Sequence, residues 1–209
     1  MRKSLMVLLL SLLMGFAHAG AYEDILVAAR DGDAAGVVEL LKRGMDVNTA
    51  DRSGTTLLMI AAGKGDMILL ETLLTNRANV NRRNQFGDTA LLLASLNSHL
   101  AAATVLLEKG AELNLSGWAP LHYAVFGGSR EITALLISKG AKLDARAPNG
   151  QTALMLAVKR GKLELVQQLV DADADMDLAD YEGFTALRLA QQLGRDEIVE
   201  YLRKVGAVE

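Results

Sequence analysis

A repeat of 33 residues constrains this chain more than any other feature. Glycines that open a turn recur at Gly54, Gly87, Gly117, Gly150 and Gly183, at spacings of 33, 30, 33 and 33. A second series, Gly32, Gly65, Ser98, Gly128, Gly161 and Gly194, steps by 33, 33, 30, 33 and 33 in register with the first. Between the two series lie short apolar stretches built from Leu, Ala, Val and Met, with aromatics at only 4%, a composition that favours helix over sheet. A fixed period of this length, reading helix, glycine, helix, glycine and polar turn, specifies a helical solenoid in which each unit buries its apolar face only against its neighbours.

The phrases at each landmark are as regular as the spacing. After the opening glycine come Thr55-Thr56-Leu57-Leu58, Asp88-Thr89-Ala90-Leu91, Trp118-Ala119-Pro120-Leu121-His122, Gln151-Thr152-Ala153-Leu154 and Phe184-Thr185-Ala186-Leu187. The second helical stretch ends in Gly44-Met45-Asp46-Val47-Asn48, Arg77-Ala78-Asn79-Val80-Asn81, Gly110-Ala111-Glu112-Leu113-Asn114, Gly140-Ala141-Lys142-Leu143-Asp144 and Asp173-Ala174-Asp175-Met176-Asp177. These residues resemble the ankyrin repeat. The resemblance implies an all-α ankyrin-repeat solenoid of helix-turn-helix units with short β-hairpin or turn connections. It covers residues 22–209 as six repeats, approximately 22–50, 51–83, 84–113, 114–146, 147–179 and 180–209.

Each phrase has a physical task. Thr56, Thr89, Thr152 and Thr185 stand where a hydroxyl caps the first helix of a repeat. Alanine pairs such as Ala61-Ala62 allow close helix approach, and leucine pairs such as Leu73-Leu74 bury the second helix. Arg77 and Asp173 occupy the site where glycine usually ends that helix in a left-handed conformation, which a β-carbon makes costly. The 30-residue interval reflects three residues missing after Asn114, so Leu115-Ser116-Gly117 is too short for a full projecting hairpin. Tyr22 to Ala50 lacks the Gly-x-Thr entry and the last helix is polar, so both ends read as caps of a complete array.

The first 19 residues read differently. Met1, Arg2 and Lys3 give a positive start, Leu5 to Met14 is almost wholly apolar, and Ala17-His18-Ala19 offers small residues to a signal peptidase. The expectation is a signal peptide over 1–19, a mature chain from Gly20 and a periplasmic or secreted location. Cleavage removes Arg2 and Lys3, leaving 20 basic against 25 acidic residues, a net of −5. The apolar stretch is too short to span a bilayer, so no membrane span remains after cleavage. The negative charge disfavours nucleic acid.

No constellation for catalysis emerges. The absence of cysteine excludes disulfides and thiolate chemistry. The mature chain has only His99 and His122, and it carries no metal-binding histidine spacing, phosphate loop or nucleophile elbow. The expectation is therefore a non-enzyme with no cofactor and no metal. In the resembled family, the histidine at the position of His122 hydrogen-bonds backbone between repeats.

The resemblance also implies that turn tips and first helices form a concave face that meets a protein partner. In repeat register the candidate partner-binding residues are Arg52, Lys64, Arg83, Phe86, Leu96, Trp118, Phe126, Lys159, Arg160, Tyr181 and Phe184. Tip positions also include Leu115 and Gln151. Aromatics bury much area at low entropic cost and serve as anchors. The basic excess on this face points to an acidic patch on the partner. The leading expectation is a monomeric binding module of a small exported bacterial type. The rivals are an accessory factor for an oxidative-stress enzyme such as catalase, in which His122 and Tyr123 would be the haem contacts, and a groove-clamping enzyme inhibitor.

Overall fold

The computed structural model describes residues 20–208; the expected signal peptide, 1–19, lies outside them. The described residues divide into two compact units, one ending at Thr89 and one beginning at Ala90. In the described residues every regular element is a helix. None of these helices is long and apolar enough to cross a membrane.

The first unit contains α1 (20–31), α2 (Ala34–Lys42), α3 (Leu57–Lys64) and α4 (Met67–Thr75). Its helices start where short polar side chains take up free backbone N–H groups. Asp33 Oδ1 accepts from Gly36 N at 2.8 Å, Thr56 Oγ1 from Met59 N at 3.2 Å and Asp66 Oδ1 from Leu69 N at 3.0 Å. Between α2 and α3 the chain reverses through Asp51-Arg52-Ser53-Gly54, closed by Asp51 N–H donating to Thr55 O at 3.0 Å. Asp51 Oδ1 gathers the N–H groups of Ser53 and Thr55 and the Ser53 hydroxyl. Burial pushes the Asp51 carboxyl up, but these donors and Arg30 outweigh it and hold it below the ordinary carboxylate value. The expected hairpins are tight turns, with a single isolated bridge, Ala50 to Thr56, among the described residues.

The second unit runs α5 (Ala90–Leu96), α6 (Leu100–Glu108), α7 (Pro120–Gly127), α8 (Arg130–Ser138), α9 (Ala153–Lys159), α10 (Leu163–Val170), α11 (Ala186–Gln192) and α12 (Asp196–Lys204). It stacks as two rows. First helices pack in the order α5, α7, α9, α11 and second helices in the order α6, α8, α10, α12, while each pair also packs on itself. Fully buried Ala94, Ala124, Ala157 and Ala190 sit along the first row, and Leu106, Leu136, Leu169 and Leu202 along the second. Where the first row comes closest, a β-carbon on Gly127 would lie 2.2 Å from Leu96 O.

A ladder of single hydrogen bonds ties consecutive repeats. The side chain at the end of each Val-Asn-like phrase accepts from a backbone N–H one repeat later: Asn48 from Asn79 at 2.8 Å, Asp144 from Asp175 at 3.0 Å and Asp177 from Val208 at 3.0 Å. Asn114 accepts from Lys142 N at 2.8 Å, 28 rather than 31 residues on. The three missing residues are thus absorbed in the turn while the ladder is kept. One consequence corrects the expectation for Leu115. It follows the ladder residue as Thr49 does, and both are buried, so Leu115 is not a tip.

Arg77, Ser98 and Asp173 all adopt left-handed backbone, with φ of 64°, 61° and 68°. Arg77 N and Ala78 N donate to Leu74 O and Leu73 O, and Asp173 N and Ala174 N to Val170 O and Leu169 O, the closure that glycine normally supports. Arg77→Gly and Asp173→Gly are each expected to raise unfolding free energy by about 1 kcal/mol, since a non-glycine residue here is strained. Urea midpoints measure this, and a lowered midpoint in both variants contradicts it.

Candidate functional site

Three of the expected partner-binding residues converge in the second unit. Leu96 from the end of α5, Trp118 just before α7 and Phe126 near the end of α7 line one groove with His122 and Tyr123. Its volume is about 210 Å³. Trp118 is 37% exposed and Phe126 46%, so each ring offers one side to solvent and packs the other on protein. The Trp118 indole meets His122 at a centroid distance of 5.7 Å and Tyr123 at 6.3 Å, both near-perpendicular, the edge-to-face arrangement that ring quadrupoles favour. The Arg160 guanidinium lies 4.6 Å over the Phe126 ring, a cation–π contact that fixes a positive charge at the groove wall.

The groove follows from the short turn. Before α9 and α11 the chain makes a closed reversal, with Ala147 N donating to Gln151 O and Asp180 N to Phe184 O. At Leu115-Ser116-Gly117 there are too few residues for that loop. Gly117 takes φ +80°, and the next residue, Trp118, stands at the edge of the first-helix row. Pro120 and the Ala119 cap then start α7.

His122 forms the groove's floor rather than a reactive group. It is 1% exposed. Nδ1 accepts from Ala119 N at 3.1 Å, so Nε2 carries the proton and donates to Ala145 O at 3.0 Å. Both nitrogens are engaged with backbone, of Ala119 before α7 and of Ala145 after α8; both partners lie in the repeat read as 114–146, so these bonds join the two ends of one repeat rather than two repeats. Met59 and Met155 stand at the same place in their repeats, and their thioethers accept from Thr56 N at 3.4 Å and Thr152 N at 3.5 Å. Sulfur there replaces imidazole as acceptor for the capping residue's N–H.

Burial pushes the His122 pKa below its ordinary 6.5, against the opposing effect of backbone hydrogen bonds with Ala145, Gln151 and Ala119. Protonating Nδ1 would set two donors face to face. The unfolded chain takes up this proton near 6.5 and the folded chain only at lower pH, so the stability His122 supplies is complete above 6.5 and falls with pH below it. His122→Met is expected to flatten the fall in urea midpoint between about pH 7 and 5. An unchanged slope contradicts it.

The other expected residues are distributed. In the second unit, Lys159 and Phe184 line a separate, polar depression with Gln151, Asp180 and Glu182, so Lys159 faces carboxylates rather than the aromatic groove. Gln151, expected at a tip, is buried between Lys159 and Asp180. Phe184 is half-buried beneath Arg188, 5.5 Å from its ring. Tyr181 is 72% exposed at a turn and packs close to Gly150. In the first unit, Phe86 is also 72% exposed and Arg52 and Arg83 are exposed. Arg52 lines a hollow with Tyr22, Leu26, Arg30 and Asp51, and Lys64 Nζ donates to Arg30 O.

Tyr123 and His122 were not read from the sequence as groove residues. Within α7, His122 and Phe126 are spaced i, i+4, with Tyr123 three before Phe126, a spacing that makes them neighbours on the helix surface; Trp118 precedes the helix. Among the described residues no group of three or more His, Asp or Glu side chains is arranged to hold a metal.

A family described as ankyrin repeats (3 copies) matches residues 25–116, 64–147 and 121–208. The chain is 46% identical over 55 residues to the 2-5A-dependent ribonuclease of Mus musculus, a match covering 24% of this chain and 8% of that protein. It is 47% identical over 51 residues to an ankyrin repeat protein of Rickettsia bellii, covering 23% of this chain and 15% of the other. The matched segment is thus a small part of each relative.

Proposed function

The chain belongs to the ankyrin-repeat family, and from that premise we propose that it is a non-catalytic module that holds a protein partner on the face carrying Trp118 and Phe126. The observation that carries this reading is the groove of half-exposed rings. Framework positions of a repeat array are committed to stacking, and aromatic side chains left partly in water beside a cation have the composition of an interface anchor. The relatives match only over repeats, so the ribonuclease named among them lends this chain no activity.

Export belongs to the same proposal. The positive start, apolar stretch and Ala17-His18-Ala19 motif support a small exported bacterial type with a mature chain from Gly20, in the periplasm or outside the cell. N-terminal sequencing of the exported protein that reads Met1 would overturn this part.

Capture from the extract of the source compartment tests the function. A partner retained by the wild-type chain is expected to be lost by Trp118→Ala and kept by Lys139→Ala, an exposed change outside the groove. Equal retention by both variants contradicts the assignment of the face.

A further inference from the structure

We propose that the groove recognises an extended segment of a protein partner that carries one bulky apolar side chain with a carboxylate two residues along. This rests on the reading of the chain as a binding module and adds the chemistry of what is bound. The volume of about 210 Å³ exceeds the roughly 150 Å³ that accommodates a benzene ring in an engineered apolar cavity, so a phenyl or branched aliphatic side chain has room. Its walls offer ring faces and edges and the Leu96 side chain. Both His122 nitrogens are occupied by backbone, so the floor presents no free polar atom that an apolar occupant would leave unpaired.

Charge selects the neighbour of that side chain. Arg160 is exposed, lies 4.6 Å over Phe126 and forms no ion pair among the described residues. No acidic side chain lines the groove. A cationic occupant therefore meets an uncompensated guanidinium despite the aromatic walls, whereas a carboxylate gains a planar two-pronged donor. Side chains two apart on an extended segment lie about 7 Å from each other on the same side, which suits a ring in the groove and a carboxylate on Arg160.

Trp118 is the chain's single tryptophan, so its emission reports on the groove without a label. The full chain is titrated with Trp-free ten-residue peptides, glycine-serine in sequence except for a central Phe-Ser-Asp, Phe-Ser-Lys or Ala-Ser-Asp triplet, which sets the two side chains on one side of an extended segment. The Phe-Ser-Asp peptide is expected to shift the emission saturably, with at least fivefold tighter binding than either other peptide. Arg160→Ala is expected to abolish the preference for Asp over Lys while leaving the circular dichroism unchanged. Equal binding of the Asp and Lys peptides, or no saturable change with any peptide at millimolar concentration, overturns the proposal. So does concentration-dependent self-association that Trp118→Ala abolishes, which would assign the groove to a second copy. These failures leave the binding-module reading standing, because that reading is judged by capture of a whole partner.

Discussion

Gly127→Ala is expected to destabilise the second unit by about 3 kcal/mol, the upper part of the range for overpacking a close-packed contact. Gly127 is the last residue of α7. An added β-carbon would sit 2.2 Å from Leu96 O, 3.0 Å from Leu96 C and 3.2 Å from Ser95 O. All three are backbone atoms, so no side-chain rotation relieves the clash and α5 and α7 must separate. The same movement displaces Leu96 and Phe126, which line the groove with Trp118, so the Trp118 emission is expected to shift with the loss of stability. Gly87→Ala is the control. It meets no atom within 4 Å, and its cost is limited to the left-handed backbone at φ +84°. Equal midpoints for Gly127→Ala and wild type would show that the two helices are not held at this distance.

The second large effect is expected at His122. His122→Ala removes a buried ring and leaves Ala119 N–H and Ala145 O without their partner. Together the cavity and the unsatisfied backbone cost about 4 kcal/mol. His122→Met is expected to recover roughly half of this. Met59 and Met155 show a thioether accepting the corresponding N–H, but sulfur has no proton to give Ala145 O. Denaturant midpoints in the order wild type, Met, Ala test the argument. A Met variant no better than Ala would mean that the ring's contacts, not the capping hydrogen bond, hold this joint.

The period made the helices legible because it fixes which residues must stack. Thr56, Thr152 and Thr185 cap α3, α9 and α11 as their positions required. Arg77 and Asp173 take the positive φ that their place in the repeat demands. Ser98 does so too, and its place in the second glycine series carries the same information.

What the period could not give was the path of the chain where the period fails. Leu115 looked like a tip because the three residues missing after Asn114 put it in the shortened turn. The structure keeps the Asn114 ladder bond and so buries Leu115. Gln151 looked exposed because register alone does not show that Asp180 and Lys159 close over it. The aromatic groove was half legible. Leu96, Trp118 and Phe126 were visible as face residues, but their convergence on Tyr123 and His122 depends on the short turn and on the close approach at Gly127. Neither Lys159 nor Tyr181 joins them, because side chains one repeat apart can share a register and still line different hollows.

The central claim is that the half-exposed rings of this groove anchor a protein partner. Calorimetric titration of the captured partner into wild type, Trp118→Ala and Lys139→Ala, with helical circular dichroism recorded for each, tests it most directly. Loss of a central aromatic anchor commonly costs about 2 kcal/mol or more. The dissociation constant for Trp118→Ala is therefore expected to rise at least tenfold, with the helical signal intact and Lys139→Ala unchanged. A Trp118→Ala chain that keeps its fold and binds the partner as tightly as wild type would contradict the account.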